Sequence, residues 1–192
     1  MFKKKSKFAL NIKILRFLLI PTILVSTPFL FNLEEGKAGL EFQWDQNSGL
    51  RRLKWFQKEN KKNFRNKIYF FFRPNDRKTG LLKLELAIPK SFKTKIKPEN
   101  IKFCRVSIGG FESRTKCLED IPSDIEINTN ESSLRILNIY PYSPVPANKE
   151  SYAIVFKVKN PRKSGLYQFH SYGQPQGKSV STYLGSWTIV ID

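Results

Sequence analysis

A chain of 192 residues, 40% apolar and 14% aromatic, fills one ordinary core. One histidine and two cysteines leave no ligand set for a tetrahedral metal centre and no CxxC redox pair, so no cofactor is expected. The formal charge of +18 at pH 7 invites an anionic partner or describes a soluble surface.

Residues 1–38 differ in kind from the rest. The start MFKKKSKFALNIKILRF carries Lys3, Lys4, Lys5, Lys7, Lys13 and Arg16, and the uncharged FLLIPTILVSTPFLF follows. This order reads as a signal peptide, with Gly36-Lys37-Ala38 offering small residues for cleavage after Ala38. The alternative is an uncleaved anchor. Pro21, Pro28 and an uncharged run of about 15 residues argue against it, because a spanning helix needs about 20. Cleavage removes seven Lys/Arg and two Asp/Glu and leaves a net charge of +13. Export to a periplasm, a thylakoid lumen or the cell surface also takes the chain away from nucleic acid, so no such partner is expected. A lysine-rich composition explains much of the charge as solubility alone.

Residues 39–66 read as a basic helical lead-in or linker. Arg51, Arg52, Lys54, Lys58, Lys61 and Lys62 are interleaved with Trp55, Phe56 and Phe64, and could rest on an anionic membrane or polysaccharide. Leu50, Leu53 and Phe56 make only a short helical stripe. A solvated helix or linker is the preferred reading.

From residue 67 onward the period is two. KIYFFFR (67–73) is continuously apolar, as a strand covered on both sides would be. In the next run Leu82, Leu84, Leu86 and Ile88 alternate with polar residues. IKFCRVSI (101–108), DIEIN (124–128), SLRILNIY (133–140) and SYAIVFKVK (151–159) follow, the last with Tyr152, Ile154, Phe156 and Val158 inward. Residues 166–171 and 182–192 complete about eight strands, with Tyr167, Phe169, Trp187, Ile189 and Ile191 inward. Turn residues separate these runs and no helical period intervenes. The expected fold is all-β: an antiparallel β-sandwich, immunoglobulin-like, over residues 67–192 behind a short helical lead-in.

Cys104 and Cys117 flank VSIGGFESRT. With a four-residue loop at 109–112 they face each other directly; with a Gly109-Gly110 turn the bridge is diagonal. Either register suits a structural disulfide in an exported chain. Ser113-Arg114-Thr115-Lys116 and Lys78-Thr79-Gly80 match SxxK and KTG fragments, but their order is reversed and no SxN accompanies them. Glu119, Asp120, Asp124 and Glu126 could be calcium or glycosidase carboxylates, yet inward Ile125 and Ile127 turn Asp124 and Glu126 out to solvent. His170 shares the more polar strand face with Gln168, and no carboxylate or serine of its own stretch orients it. The following loop, with Tyr172, Gln174 and Gln176, is the expected binding edge, since aromatic and amide side chains can stack on and hydrogen-bond sugars.

The phenylalanine-rich strand running into FFFRPNDRKTGLLKLELAIP, the block IKFCRVSIGGFESRTKCLEDIP, then NPRKSGLYQF and YLGSWTIVID appear in this order behind the signal segment. Together they resemble a family of exported cyanobacterial proteins known only as a domain of unknown function. The resemblance covers roughly residues 40–192, though the 51–67 segment is unusually lysine-rich. It implies export and a β-sandwich, and it carries no catalytic residue. The functional expectation is a non-catalytic envelope module for a protein or glycan partner. The alternatives are a basic binder of anionic lipid or polysaccharide and a hydrolase using His170.

Overall fold

A computed structural model describes residues 50–110 and 113–192. The signal segment 1–38 and residues 39–49 of the lead-in lie outside them. Ten strands are present among the described residues: β1 (Trp55–Gln57), β2 (Arg65–Phe72), β3 (Leu81–Ile88), β4 (Ile101–Ser107), β5 (Lys116–Asp120), β6 (Ser123–Thr129), β7 (Arg135–Pro141), β8 (Ser151–Lys159), β9 (Gly165–Pro175) and β10 (Thr182–Ile191). They form two five-stranded sheets, β1-β2-β8-β4-β5 and β10-β9-β3-β7-β6, with every strand pair antiparallel. The all-β, two-sheet architecture read from the period-two pattern is the observed one. No helix among the described residues is long and apolar enough to cross a membrane.

Alternation along each strand sends one set of side chains into the space between the sheets. Ile68, Phe70 and Phe72 of β2 meet Ile154 and Phe156 of β8 and, from the other sheet, Phe169 of β9 and Trp187 of β10. Phe70 lies 5.2 Å from Phe156, 4.9 Å from Phe169 and 5.0 Å from Trp187, ring centre to ring centre. Such tilted and edge-on pairs suit the ring quadrupoles and add to the area they bury. Tyr167, Ile189 and Ile191 are buried inward as their spacing predicts. The other face of the first sheet is also apolar: Tyr69, Phe71, Cys104, Val106, Ala153 and Val155 form a second buried cluster. That second face is why KIYFFFR shows no polar alternation.

Several local expectations are corrected. Residues 50–66 contain no helix. The amide of Leu53 donates to Ser186 O (2.8 Å), Ser186 N donates to Arg51 O (2.7 Å), and Phe71 N and the Trp187 indole donate to Lys54 O. These sheet-edge bonds satisfy the backbone from outside and bury Leu53, which a weak helical stripe cannot match. In β3 a register shift between Leu81 and Lys83 sends Leu81 into the core and leaves Leu82 exposed. β9 does not stop at Ser171 but runs to Pro175, so Tyr172 and Gln174 are strand residues rather than loop residues.

The disulfide Cys104–Cys117 is present, with a Cα–Cα distance of 5.7 Å. Neither predicted hairpin register is observed. Cys104 pairs with Asp120 and Cys117 with Val106, because a bulge falls between Arg105 and Val106. The bridge joins the last two strands of the first sheet and helps to close its second apolar cluster.

Two polar clusters hold the sandwich ends. Asp76 is buried, accepts from Arg73 N (2.8 Å) and pairs with the guanidinium groups of Arg51 and Arg73 at 3.1 Å each. Arg77, also buried, donates to Phe72 O and Glu150 O and lies 4.6 Å over the Tyr152 ring. Burial lowers the Arg77 pKa, opposed by Tyr152, Asp76 and Glu150. At the other end Asn160 accepts from Asn66 (3.0 Å) and donates to Lys61 O and Glu59 O, fixing the turn between β1 and β2.

The disulfide and the Asp76 cluster each carry measurable stability. Replacing Cys104 and Cys117 together by serine lowers the unfolding free energy by about 2–4 kcal/mol, the usual value for closing a loop of this size. Urea unfolding with and without reductant checks it; unchanged midpoints contradict a structural role. Asp76→Ala strips the partner from two arginines and one amide and costs about 3 kcal/mol, with Asp76→Asn costing less. Equal urea midpoints for wild type and Asp76→Ala contradict this account.

Candidate functional site

A cleft lies on the outer side of the first sheet, between the β1–β2 edge and the β4–β5 hairpin. Its volume is about 940 Å³, and among the described residues its walls are Phe56, Lys58, Lys67 and Tyr69 on one side and Gly109, Gly110 and Ser113–Cys117 on the other. The antiparallel register sets Phe56 across from Tyr69, with ring centres 6.0 Å apart, and the bond from Lys58 N to Lys67 O carries the two lysines past the end of β1. The Lys67 ammonium lies 4.9 Å from the centre of the Tyr69 ring. The opposite wall needs a glycine. A Cβ on Gly109 would stand 2.5 Å from Ser113 O and Thr115 N, and the Gly109 amide instead donates to Thr115 Oγ1 at 3.0 Å. The disulfide anchors this wall at Cys117. Lys58, Lys67, Arg114 and Lys116 give the cleft four cations, and no carboxylate is among its described lining residues.

A second depression, about 440 Å³, lies on the outer side of the other sheet. Lys83 and Glu85 of β3 and Tyr172 and Gln174 of β9 form its floor, because the register sets Lys83 beside Gln174 and Glu85 beside Tyr172. Ser179, Val180 and Ser181 of the β9–β10 loop close one side. Lys83 and Glu85 pair at 2.8 Å, Ser181 donates to Glu85 at 3.0 Å, and Tyr183 holds Tyr172 edge-on at 5.7 Å. Burial works against the charge of Lys83, but its hydrogen bonds and charge interactions with Glu85 and Tyr140 together outweigh this and raise its pKa.

The residues singled out from sequence are dispersed. Of the six basic positions in the lead-in, only Lys58 lines the large cleft. Arg51 is tied to Asp76, Lys61 sits 6.0 Å from the Phe64 ring, and Lys62 reaches Ser164 at 3.5 Å. Arg52 and Lys54 are exposed on the strip that joins the two sheet edges. Tyr172 and Gln174 come together in the second depression, whereas Gln176 lies against Gly80. Lys67 figures in the sequence only as the end of the basic 51–67 segment, Arg114 and Lys116 only within the SxxK fragment, and Lys83 and Glu85 only as outward strand residues. Period two in LLKLELAIP already places Lys83 and Glu85 on one outward face, but nothing local reveals that β9 lies beside it. Glu119 pairs with Arg105, Asp120 with Lys102, and Asp124 accepts from the Tyr142 hydroxyl. No group of three or more His, Cys, Asp or Glu side chains suited to a metal occurs among the described residues.

His170 does meet a serine, one that is distant in sequence. Its Nδ1 lies 2.7 Å from Ser186 Oγ, which also bonds the Tyr183 hydroxyl at 2.6 Å. Ser186 is buried, and the void beside it is about 10 Å³, room for about one water and no substrate. Burial lowers the His170 pKa. Protonation therefore favours the unfolded chain, so stability is full above the unfolded value of about 6.5 and falls as pH drops from there toward the folded value. Urea unfolding from pH 7.5 to 5 shows a shallower loss for His170→Gln than for wild type; identical slopes contradict the assignment.

No curated protein sequence matches the chain. Among solved structures it is similar to BslA, a bacterial hydrophobin, at 12% identity and TM-score 0.44, over 74% of this chain and 95% of that one. It is also similar to the collagen-binding domain of a Staphylococcus aureus adhesin, at 11% identity and TM-score 0.38 over 71% and 95%. The collagen-binding subdomain of the Enterococcus faecalis surface protein ACE gives 8% identity and TM-score 0.37 over 71% and 95%. The sequence comparison is more specific. A family model matches residues 45–191, which takes in all ten strands, and the chain belongs to the family described as "Protein of unknown function (DUF2808)".

Proposed function

We propose that the protein is a non-catalytic exported module that binds an acidic glycan in the cleft between the β1–β2 edge and the β4–β5 hairpin. The observation that carries this reading is the cleft lining: Lys58, Lys67, Arg114 and Lys116 around Phe56 and Tyr69. Charge complementarity draws in a polyanion, and the exposed ring of Phe56 gives its sugar units an apolar surface on which to lie. Four cations on two separate chain segments select a polymer that can touch both walls. The disulfide at Cys117 suits an oxidising compartment, which fits an exported role.

This reading refines the alternative of a basic segment spread on an anionic membrane. Only Lys58 of that segment contributes to the cleft, and Arg51 is held by Asp76. A flat membrane also cannot reach a floor set between two walls.

Binding of a soluble polyuronate at low salt, followed by calorimetry, tests the proposal. Combined charge reversal of Lys58, Lys67, Arg114 and Lys116 weakens binding at least tenfold, while the same number of reversals at Lys93, Lys95, Lys149 and Lys178 leaves it within about threefold. Raising the salt to 0.5 M removes most of the wild-type affinity, because exposed charge is screened within about 4 Å there. Equal losses from both sets of reversals, or binding that survives high salt, overturn the cleft as the site.

A further inference from the structure

The depression over β3 and β9 is electrostatically neutral where the cleft is basic. Its two charged lining residues, Lys83 and Glu85, neutralise each other at 2.8 Å, and the remaining lining is Tyr172, Gln174, Ser179, Val180 and Ser181. We infer that this depression is a second binding site, for a neutral pyranose unit of a glycan, with Tyr172 as the stacking face.

The chemistry of a sugar ring explains the arrangement. A pyranose presents an apolar C–H face bordered by hydroxyls that each donate and accept. Tyr172 offers a half-buried ring whose orientation is fixed by the edge-on contact with Tyr183 at 5.7 Å. A ring held in place before binding loses little side-chain freedom when the sugar arrives. Beside it Glu85 accepts and Lys83 donates, which matches two neighbouring hydroxyls. Gln174 spends one of its two amide N–H donors on Lys178 O at 3.0 Å, which braces the β9–β10 loop and leaves its side-chain oxygen to accept from a third hydroxyl. Ser181 completes the wall while donating to Glu85. The volume of about 440 Å³ lies within the roughly 300–1,000 Å³ of ordinary small-ligand sites. An anionic ligand would face Glu85, and a purely apolar one would bury the Lys83–Glu85 pair without replacing its water.

This site belongs to the other sheet and shares no residue with the basic cleft. It therefore stands whether or not the cleft binds an acidic polymer. With both in use, the two outer faces of one sandwich would hold two different glycans.

Backbone amide NMR during titration with a panel of neutral oligosaccharides tests the inference. The panel contains oligomers of glucose, galactose, mannose and N-acetylglucosamine, each raised to on the order of 10 mM, since one shallow sugar site binds at about 1 mM. At least one oligosaccharide shifts the amides of Lys83, Glu85, Tyr172, Gln174 and Ser181 in a saturable way. Tyr172→Ala and Gln174→Ala each weaken that titration at least fivefold while the rest of the spectrum stays folded. The four charge reversals in the cleft leave it unchanged. No saturable shift at those five amides with any member of the panel, or shifts that persist in both alanine variants, overturns the inference.

Discussion

The contact on which everything else depends is the meeting of Phe70 with Phe156, Phe169 and Trp187. Phe70 and Phe156 belong to one sheet and Phe169 and Trp187 to the other, so a single ring touches both layers. Burial of large aromatic side chains supplies most of the driving force for a sandwich of this size. Their fixed mutual angles also set how the sheets face each other. Because side chains alternate along a strand wherever no bulge intervenes, each inward ring turns its neighbours outward, and most of both outer faces is specified from the core.

Those outer faces differ in character. On the first sheet the outward set is itself apolar, and the disulfide hairpin stands at one side of it, leaving the basic cleft at the edge. On the second sheet the outward set is polar and aromatic, with opposite charges side by side. Arginine and lysine are divided in a similar way. Arg51, Arg73 and Arg77 sit at one end of the sandwich, where planar donors meet a buried carboxylate and backbone carbonyls, whereas lysines supply most of the free charge around the cleft.

Much of the core was legible because it is written in period two. The inward positions of β8, β9 and β10 follow from alternation alone, and the cysteine pair could be assigned from its count and spacing. What failed did so where a backbone partner comes from far along the chain. Residues 51–54 bond to Ser186, Phe71 and Trp187, and no local pattern signals those partners. The bulges near Leu81 and in the Cys104–Cys117 hairpin each add one residue to a strand, which flips the expected facing without altering composition. The two candidate sites were half visible for the same reason. Lys58 stood out in a charged run and Tyr172 in an aromatic stretch, but Arg114 and Lys83 became neighbours of these only through sheet order.

The strand order also governs when the molecule can assemble. β1 with β2, β4 with β5, β6 with β7 and β9 with β10 are hairpins of near neighbours, and such units form on the microsecond scale. β8 is the central strand of its sheet and β3 of the other, and each joins two of those hairpins across long stretches of chain: Arg65 waits for Lys159, and Leu84 waits for Ile139 and Gly173. Closing such loops is the slow step in folding. As the chain is made, three local hairpins therefore exist before there is a sandwich; β8 then joins two of them into one sheet, and the β9–β10 hairpin completes the other against β3.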